Sequence, residues 1–451
     1  MNKIKIGLFF DGTGNNGYNA QSISKYDDSS YNSSPTNIFR LYKNYKNVCK
    51  KDSDKIAAYV EGIGTMNYQK DSLLNQAQGD FSAWSEYGAE SKIKFATEYI
   101  NRELVELFDR ENIEKNIDLE FNIFGFSRGA ALARHYTNQL SDIKSIVYEN
   151  IKKSLNNNER ILNTIKINFL GLYDTVESFG SFAGFNAITS VANLKNVGCI
   201  FQLRAEHECR ENFPLTSILN NKQSEMVDKY RGYSERNLNN SKLIEVLVPG
   251  NHSDVGGSYL DSLKEDRSVE YRVSEANCRI KLKKIQENPI WTQLLDDKHI
   301  KYEQEFSGLW YWFAKSNRQE IRAQLQWIYA KLMIENAIKN NCEFDLNDFN
   351  REYDIPCDLK PIYSQLSRVI DELNDLKKCE ELFQINRNTI DNITEKYIHI
   401  SANWNYFTSD EGTPGTQPIK LDENLAEAQL SLDDARVYRP AKDWVRKIIF
   451  K

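Results

Sequence analysis

The chain has 451 residues, room for one large domain with insertions or for two or three smaller ones, and its 58 Lys and Arg against 64 Asp and Glu leave a formal net charge of −6. That balance gives no broad attraction for nucleic acid or for an anionic lipid surface. No apolar run approaches the about 18 residues of a membrane span, the start MNKIKIGLFFDGTG lacks the apolar core of a signal peptide, and the seven cysteines are scattered without a CxxC pair. Synthesis as a cytoplasmic protein is therefore expected, with neither a disulfide framework nor a zinc site.

Lys3 to Phe10, KIKIGLFF, reads as a buried strand that turns at once into Asp11-Gly12-Thr13-Gly14-Asn15-Asn16-Gly17. A Gly-rich loop there can aim backbone N–H groups at an oxyanion, with Gly12 or Thr13 as the donor and Asp11 holding the loop through its amides. The Walker pattern is absent. Gly12 to Gly17 matches the dinucleotide string Gly-x-Gly-x-x-Gly, but the polar stretch YNAQSISKYDDSSYNSSP that follows is not the helix such a site requires. An aspartate nucleophile at Asp11 is a competing reading, one that leaves Ser127 and His252 without tasks. Lys55 to Val60 reads as a second strand. Ile93, Ala96, Ile100, Leu104 and Leu107 recur at helical spacing, which predicts an amphipathic crossover helix over Glu86 to Phe108.

Leu119 to Arg134, LEFNIFGFSRGAALAR, carries the most chemistry. Leu119, Phe121, Ile123 and Phe124 make an apolar strand, Ala130 to Ala133 open a helix, and Gly125-Phe126-Ser127-Arg128-Gly129 lies between them. A tight strand-to-helix turn leaves no room for a Cβ on either side, so glycines flank a serine lifted above the sheet edge, with a helix N-terminus beneath any negative charge that forms. Ser127 is the candidate nucleophile, and the amide of Arg128 a second oxyanion donor.

A nucleophilic serine needs a base and an acid at the ends of other strands. Ile165 to Tyr173 reads as a strand ending at Asp174, and Leu243 to Val248 as one that delivers His252 through Pro249-Gly250-Asn251. Functional groups gather at the carboxyl edge of a parallel sheet, and Ser127, Asp174 and His252 follow the chain order of α/β hydrolases. Of the five histidines, His135 and His207 read as structural and His299 as solvated, while His399 is the rival base. Asp254 is the alternative acid; its expected task is to pin the glycine-rich turn after His252.

Four blocks, Phe9 to Asn15 (FFDGTGN), Gly125 to Ala130 (GFSRGA), Leu170 to Val176 (LGLYDTV) and Gly250 to Gly257 (GNHSDVGG), together resemble the catalytic domain of the first family of type VI secretion phospholipase effectors. Weaker echoes are Pro35 to Ile38, Glu61 to Thr65, Gln326 to Ile328 and Tyr438 to Pro440. The resemblance implies an α/β hydrolase that cleaves acyl esters of membrane glycerophospholipids, an antibacterial toxin injected into rival cells and reaching the periplasm. Its implied partners are the lipid substrate, an immunity protein of the producer and a secretion-spike or adaptor protein. Carried over by position, Ser127 resembles the family nucleophile, Asp174 the acid and His252 the base, with no metal or cofactor in the expected reaction. The segment Arg204 to Pro214, RAEHECRENFP, and the expanded charged stretch between Gly257 and Trp327 depart from the family pattern.

The expected architecture is thus an α/β-hydrolase core over 1–260, a mostly parallel sheet with helices on both faces, followed over 261–451 by a charged, mainly helical region packed on the core as a cap or membrane-contacting insertion. Within it, Phe306 to Phe313, FSGLWYWF, suits either a lipid interface or packing of the cap onto the core, packing being favoured, with Gln319 to Ile338 helical.

Overall fold

The computed structural model describes residues 3–23, 26, 28–50, 54–72, 87–177, 197–237, 239–307, 309–376, 386–404 and 438–450. Its strands are β1 (Lys3–Phe10), β2 (Lys55–Val60), β3 (Asn116–Phe126), β4 (Ile161–Tyr173), β5 (Val197–Ala205), β6 (Leu215–Thr216), β7 (Gly232–Arg236), β8 (Lys242–Val248), β9 (Leu263–Arg272), β10 (Ile300–Ser307), β11 (Leu309–Ile321) and β12 (Ile448–Ile449). Seven of them form the central sheet in the order β2-β1-β3-β4-β5-β8-β7. All neighbours are parallel except the edge strand β7, which is antiparallel to β8. The mixed α/β fold with a mostly parallel sheet is the one the apolar runs predict.

A parallel sheet must be covered on both faces, because its strands are apolar on both sides. Along β1, Ile4, Ile6, Leu8 and Phe10 enter one core with Ile100 and Leu104 of the helix Ala89–Arg110 and Tyr136 of the helix Arg128–Ser141. Phe9 points to the opposite core, which holds Tyr45 of the helix Asn37–Cys49, Met333 of the helix Leu325–Lys339 and Leu366 of the helix Lys360–Asn374. Each such side chain, fully buried, contributes about 1.5–3 kcal/mol. The crossover helix starts at Ala89; its expected start at Glu86 lies outside the described residues.

The expectation of a mainly helical region after residue 260 is corrected for its first part. β9, β10 and β11 form a three-stranded antiparallel sheet in the order β10-β11-β9, and Gln319–Ile321 end a strand instead of starting a helix. The sequence of β9 is charged, yet Glu265, Arg267 and Glu270 are buried. Glu265 is neutralised in place: Arg318 Nε of β11 donates to its Oε1 at 2.8 Å and the Ile400 amide to its Oε2 at 2.6 Å. Paired charges can be buried where lone ones cannot, and polarity alone does not reveal the pairing. The FSGLWYWF segment lies on the β10–β11 hairpin, with Phe313 buried against Tyr271 and Trp310 59% exposed; the side chains of 305–309 lie outside the described residues.

Candidate functional site

β3 runs into the sheet edge at Phe126, and Ser127 turns the chain with φ 58° and ψ −128° before the helix Arg128–Ser141 begins. A non-glycine residue in such a conformation costs about 1–3 kcal/mol and persists only where its surroundings hold it. Here the Ser127 amide donates to Tyr173 O at the end of β4, and Ser127 O accepts from the amides of Ala130 and Val176. The flanking glycines are required by close approach. A Cβ at Gly125 would stand 2.5 Å from Ala130 Cα, and one at Gly129 would stand 2.2 Å from Asp11 O. Gly129→Ala is therefore expected to push the helix off the first loop, costing about 1–3 kcal/mol. Thermal melting would read this as a lowered Tm, and an unchanged Tm would show that the contact is looser than it looks.

Asp174 follows β4 directly, with φ 44°, and is fully buried. Its Oδ2 meets His252 Nδ1 at 2.6 Å, and its Oδ1 accepts from the Ala205 amide at 2.9 Å. Arg446 binds both oxygens, Nη1 to Oδ1 at 2.7 Å and Nη2 to Oδ2 at 2.8 Å. Burial works against the carboxylate, but the Arg446 charge and the His252 hydrogen bond outweigh it and hold the Asp174 carboxyl well below its ordinary range.

His252 opens the short helix His252–Gly256, capped by Asn251 and by Asp254 in a reciprocal capping box. The imidazole is packed between Phe126, at 4.6 Å between centroids, and Phe213, at 5.1 Å. Because Nδ1 faces an ionised carboxylate, the neutral ring carries its proton there and leaves Nε2 as the basic nitrogen. Burial lowers the His252 pKa despite the opposing pull of Asp174. Among the described residues no hydrogen bond joins Ser127 Oγ to His252; such contacts commonly tighten only when substrate binds.

The first loop lies under the serine turn, through the contact of Gly129 with Asp11 and of Gly12 with the Phe126 ring. Asp11 Oδ1 accepts from the Gly12 amide at 2.8 Å and from Thr36 Oγ1 at 2.7 Å, and Oδ2 accepts from Tyr59 OH at 2.6 Å. Burial raises its pKa to about 6 against these hydrogen bonds. The Gly12 N–H is thus spoken for, whereas no hydrogen bond of the described residues engages the Thr13 amide or its buried Oγ1. Of the two residues expected to donate from this loop, Thr13 has the available groups. Arg128 is the first residue of its helix, a position whose N–H lies outside the i to i−4 ladder.

Asp254 and His399, the alternative acid and base, are paired with each other. Asp254 Oδ1 meets His399 Nδ1 at 2.7 Å, Oδ2 accepts from the Asn251 amide at 2.9 Å, and the His399 ring stacks on Tyr259 at 3.9 Å. His207 Nδ1 accepts from the Gly250 amide, and burial lowers its pKa to about 4. The weaker echoes act beside the site: Asn37 Nδ2 donates to Val255 O and Gln326 O, and Gln326 Nε2 donates to Tyr259 O, so both grip the turn after His252.

Two residues were missed by the sequence reading. Glu208, inside the aberrant RAEHECRENFP stretch, accepts from the His252 amide at 3.3 Å and pairs with Arg210 at 2.8 Å. Arg446 lies so far along the chain that only the fold brings it to Asp174. Among the described residues no group of three or more His, Cys, Asp or Glu is placed to hold a metal ion, and no helix is long and apolar enough to cross a membrane.

The sequence matches the model of the type VI secretion phospholipase effector Tle1-like catalytic domain over residues 5–150 and 139–279. No curated protein matches it. A solved structure of the Tle1 effector bound to the VgrG spike of the type 6 secretion system aligns over 100% of this chain and 94% of that chain, with TM-score 0.67 and 21% identity. An uncharacterized protein from Pseudomonas aeruginosa aligns over 84% of this chain and 52% of that chain, with TM-score 0.42 and 16% identity. Matched by that model over more than half of its length, the chain belongs to the Tle1-like phospholipase effector family of type VI secretion systems.

Proposed function

We propose that this chain is a serine-dependent phospholipase A that hydrolyses acyl esters of membrane glycerophospholipids as an antibacterial effector. The observation that carries the reading is the strained Ser127 turn at the carboxyl edge of a parallel sheet, beside a buried Asp174–His252 pair whose Nδ1 to Oδ2 distance is 2.6 Å. His252 Nε2 takes the Ser127 proton as Oγ attacks the ester carbonyl, and the Arg128 and Thr13 amides receive the oxyanion. The imidazolium then protonates the departing lysophospholipid alcohol. Water, deprotonated by His252, releases the fatty acid and restores Ser127. We assign this chemistry to residues 1–260, with the described residues after 260 packing on them. The Tle1 effector of the solved relative is bound to a VgrG spike. By analogy this chain rides such a spike into the periplasm of a rival cell, and the producer holds an immunity protein against it.

The test is fatty-acid release from phosphatidylethanolamine vesicles labelled differently at each acyl position, with wild type beside His252→Ala. Release that the substitution abolishes supports the reading and gives the regiochemistry. Cleavage of short soluble esters alone would make it a small-ester hydrolase, and silence on both substrates would leave a binding protein that keeps the fold.

The pH profile supplies a separate check. Only neutral His252 can act as base, and burial lowers its pKa, so the acid limb of kcat/KM is expected to have its midpoint below the roughly 6.5 of a free imidazole. A midpoint at or above 7 would contradict this.

A further inference from the structure

Asp174 is held by more than its histidine. The segment 438–450 runs beside 209–217: the Ala441 amide donates to Cys209 O at 2.7 Å, the Leu215 amide to Lys447 O at 2.9 Å, and β12 pairs in parallel with β6. Trp444 packs edge-on against Trp291 with centroids 5.0 Å apart. This docking delivers Arg446, whose Nε donates to Phe213 O at 2.7 Å while its two terminal nitrogens take one oxygen of Asp174 each. Every nitrogen of the guanidinium is engaged, and its side chain is 8% exposed.

We infer that Arg446 is a positioning residue for the ester hydrolysis, a planar clamp that fixes the Asp174 carboxylate so that Oδ2 faces His252 Nδ1 and that tempers the negative charge the imidazole feels. The inference rests on the triad reading of Ser127, Asp174 and His252. A carboxylate can turn about its last bond, and the Ala205 amide holds only one of its oxygens. The rigid fork of a guanidinium fixes the plane through both, which a lysine ammonium cannot do. Among the described residues, the charged groups facing His252 are Asp174 after β4, Glu208 and Arg210 after β5, and Arg446 behind Asp174. Glu208 and Arg210 neutralise each other, so removing Arg446 leaves the Asp174 charge acting on the imidazole unopposed. That favours the protonated ring.

The experiment measures kcat, KM and the pH profile on vesicles and on a short-chain ester for wild type, Arg446→Gln, Arg446→Lys, Asp174→Asn and the double variant Asp174→Asn with Arg446→Gln, with Ser127→Ala as control. Arg446→Gln is expected to lower kcat by roughly 10- to 100-fold with KM little changed, the scale on which orienting partners act, and to move the acid limb up by about one pH unit. Arg446→Lys, which keeps charge and length, is expected to fold and to keep the acid limb near that of wild type while still losing most of the rate. If Arg446 acts through Asp174, the double variant is no slower than Asp174→Asn alone.

Losses that multiply in the double variant, with an unmoved acid limb, would reduce Arg446 to a structural anchor and overturn the inference. Wild-type turnover in Arg446→Lys would overturn the need for the fork. Should Arg446→Gln fail to fold, the lysine variant and the double variant, in which no buried guanidinium is left unpaired, still decide. Failure of the triad reading is distinguishable, because Ser127→Ala and Asp174→Asn would then both keep activity.

Discussion

Ser127→Ala is expected to lower kcat for ester hydrolysis by on the order of 10⁴- to 10⁶-fold while leaving the fold and its Tm intact. The hydroxyl is the only group removed, and no hydrogen bond among the described residues depends on it, so stability has nothing to lose. What survives is substrate binding and the oxyanion donors, each worth about 3–4 kcal/mol but idle without an attacking atom. A companion substitution separates strain from chemistry. Ser127→Gly removes the Cβ from a residue held at φ 58°, so it is expected to be equally inactive yet more stable, by about 1 kcal/mol. Thermal melting beside turnover would check both. Residual activity in Ser127→Ala within tenfold of wild type would remove Ser127 from the mechanism.

The sequence was most legible where one physical constraint writes one residue. The buried parallel strands could be read because a strand covered on both faces is a near-continuous apolar run, as in the IGLFF that ends β1. The glycines beside Ser127 could be read because backbone atoms stand where a Cβ would be. β5, with Gln202 and Arg204 in VGCIFQLRA, escaped the same reading. Both are buried, and both reach Glu245 of the neighbouring strand, Gln202 at 2.9 Å and Arg204 at 3.4 Å. The charged strands after residue 260 were hidden for the same reason, since buried ion pairs read as solvated faces until the partner is known. Arg446 carried no local signal at all. Its meaning lies in a partner 272 residues earlier in the chain.

Asp174→Asn is expected to lower kcat by on the order of 10³- to 10⁴-fold, because an amide at Oδ2 cannot both accept the Nδ1 proton and stabilise an imidazolium, and the ring loses its useful tautomer. Unlike Ser127→Ala, it should also destabilise the protein. Arg446 would keep its buried charge without the carboxylate that neutralises it, a loss of about 3–5 kcal/mol when one partner of a buried pair is removed. The deficit should depend on pH in a definite direction. The Asp174 pKa is depressed in the folded state, so its contribution is fully present above the roughly 4 of an unfolded aspartate and is lost as pH falls towards the folded value. Wild type and Asp174→Asn are therefore expected to differ most in denaturant midpoint at neutral pH and to converge as pH falls below about 4. A constant gap across that range would mean that Asp174 is held by packing and not by its charge. The gap should also close at neutral pH when Arg446→Gln is added, because removing both members of a buried pair costs less than removing one.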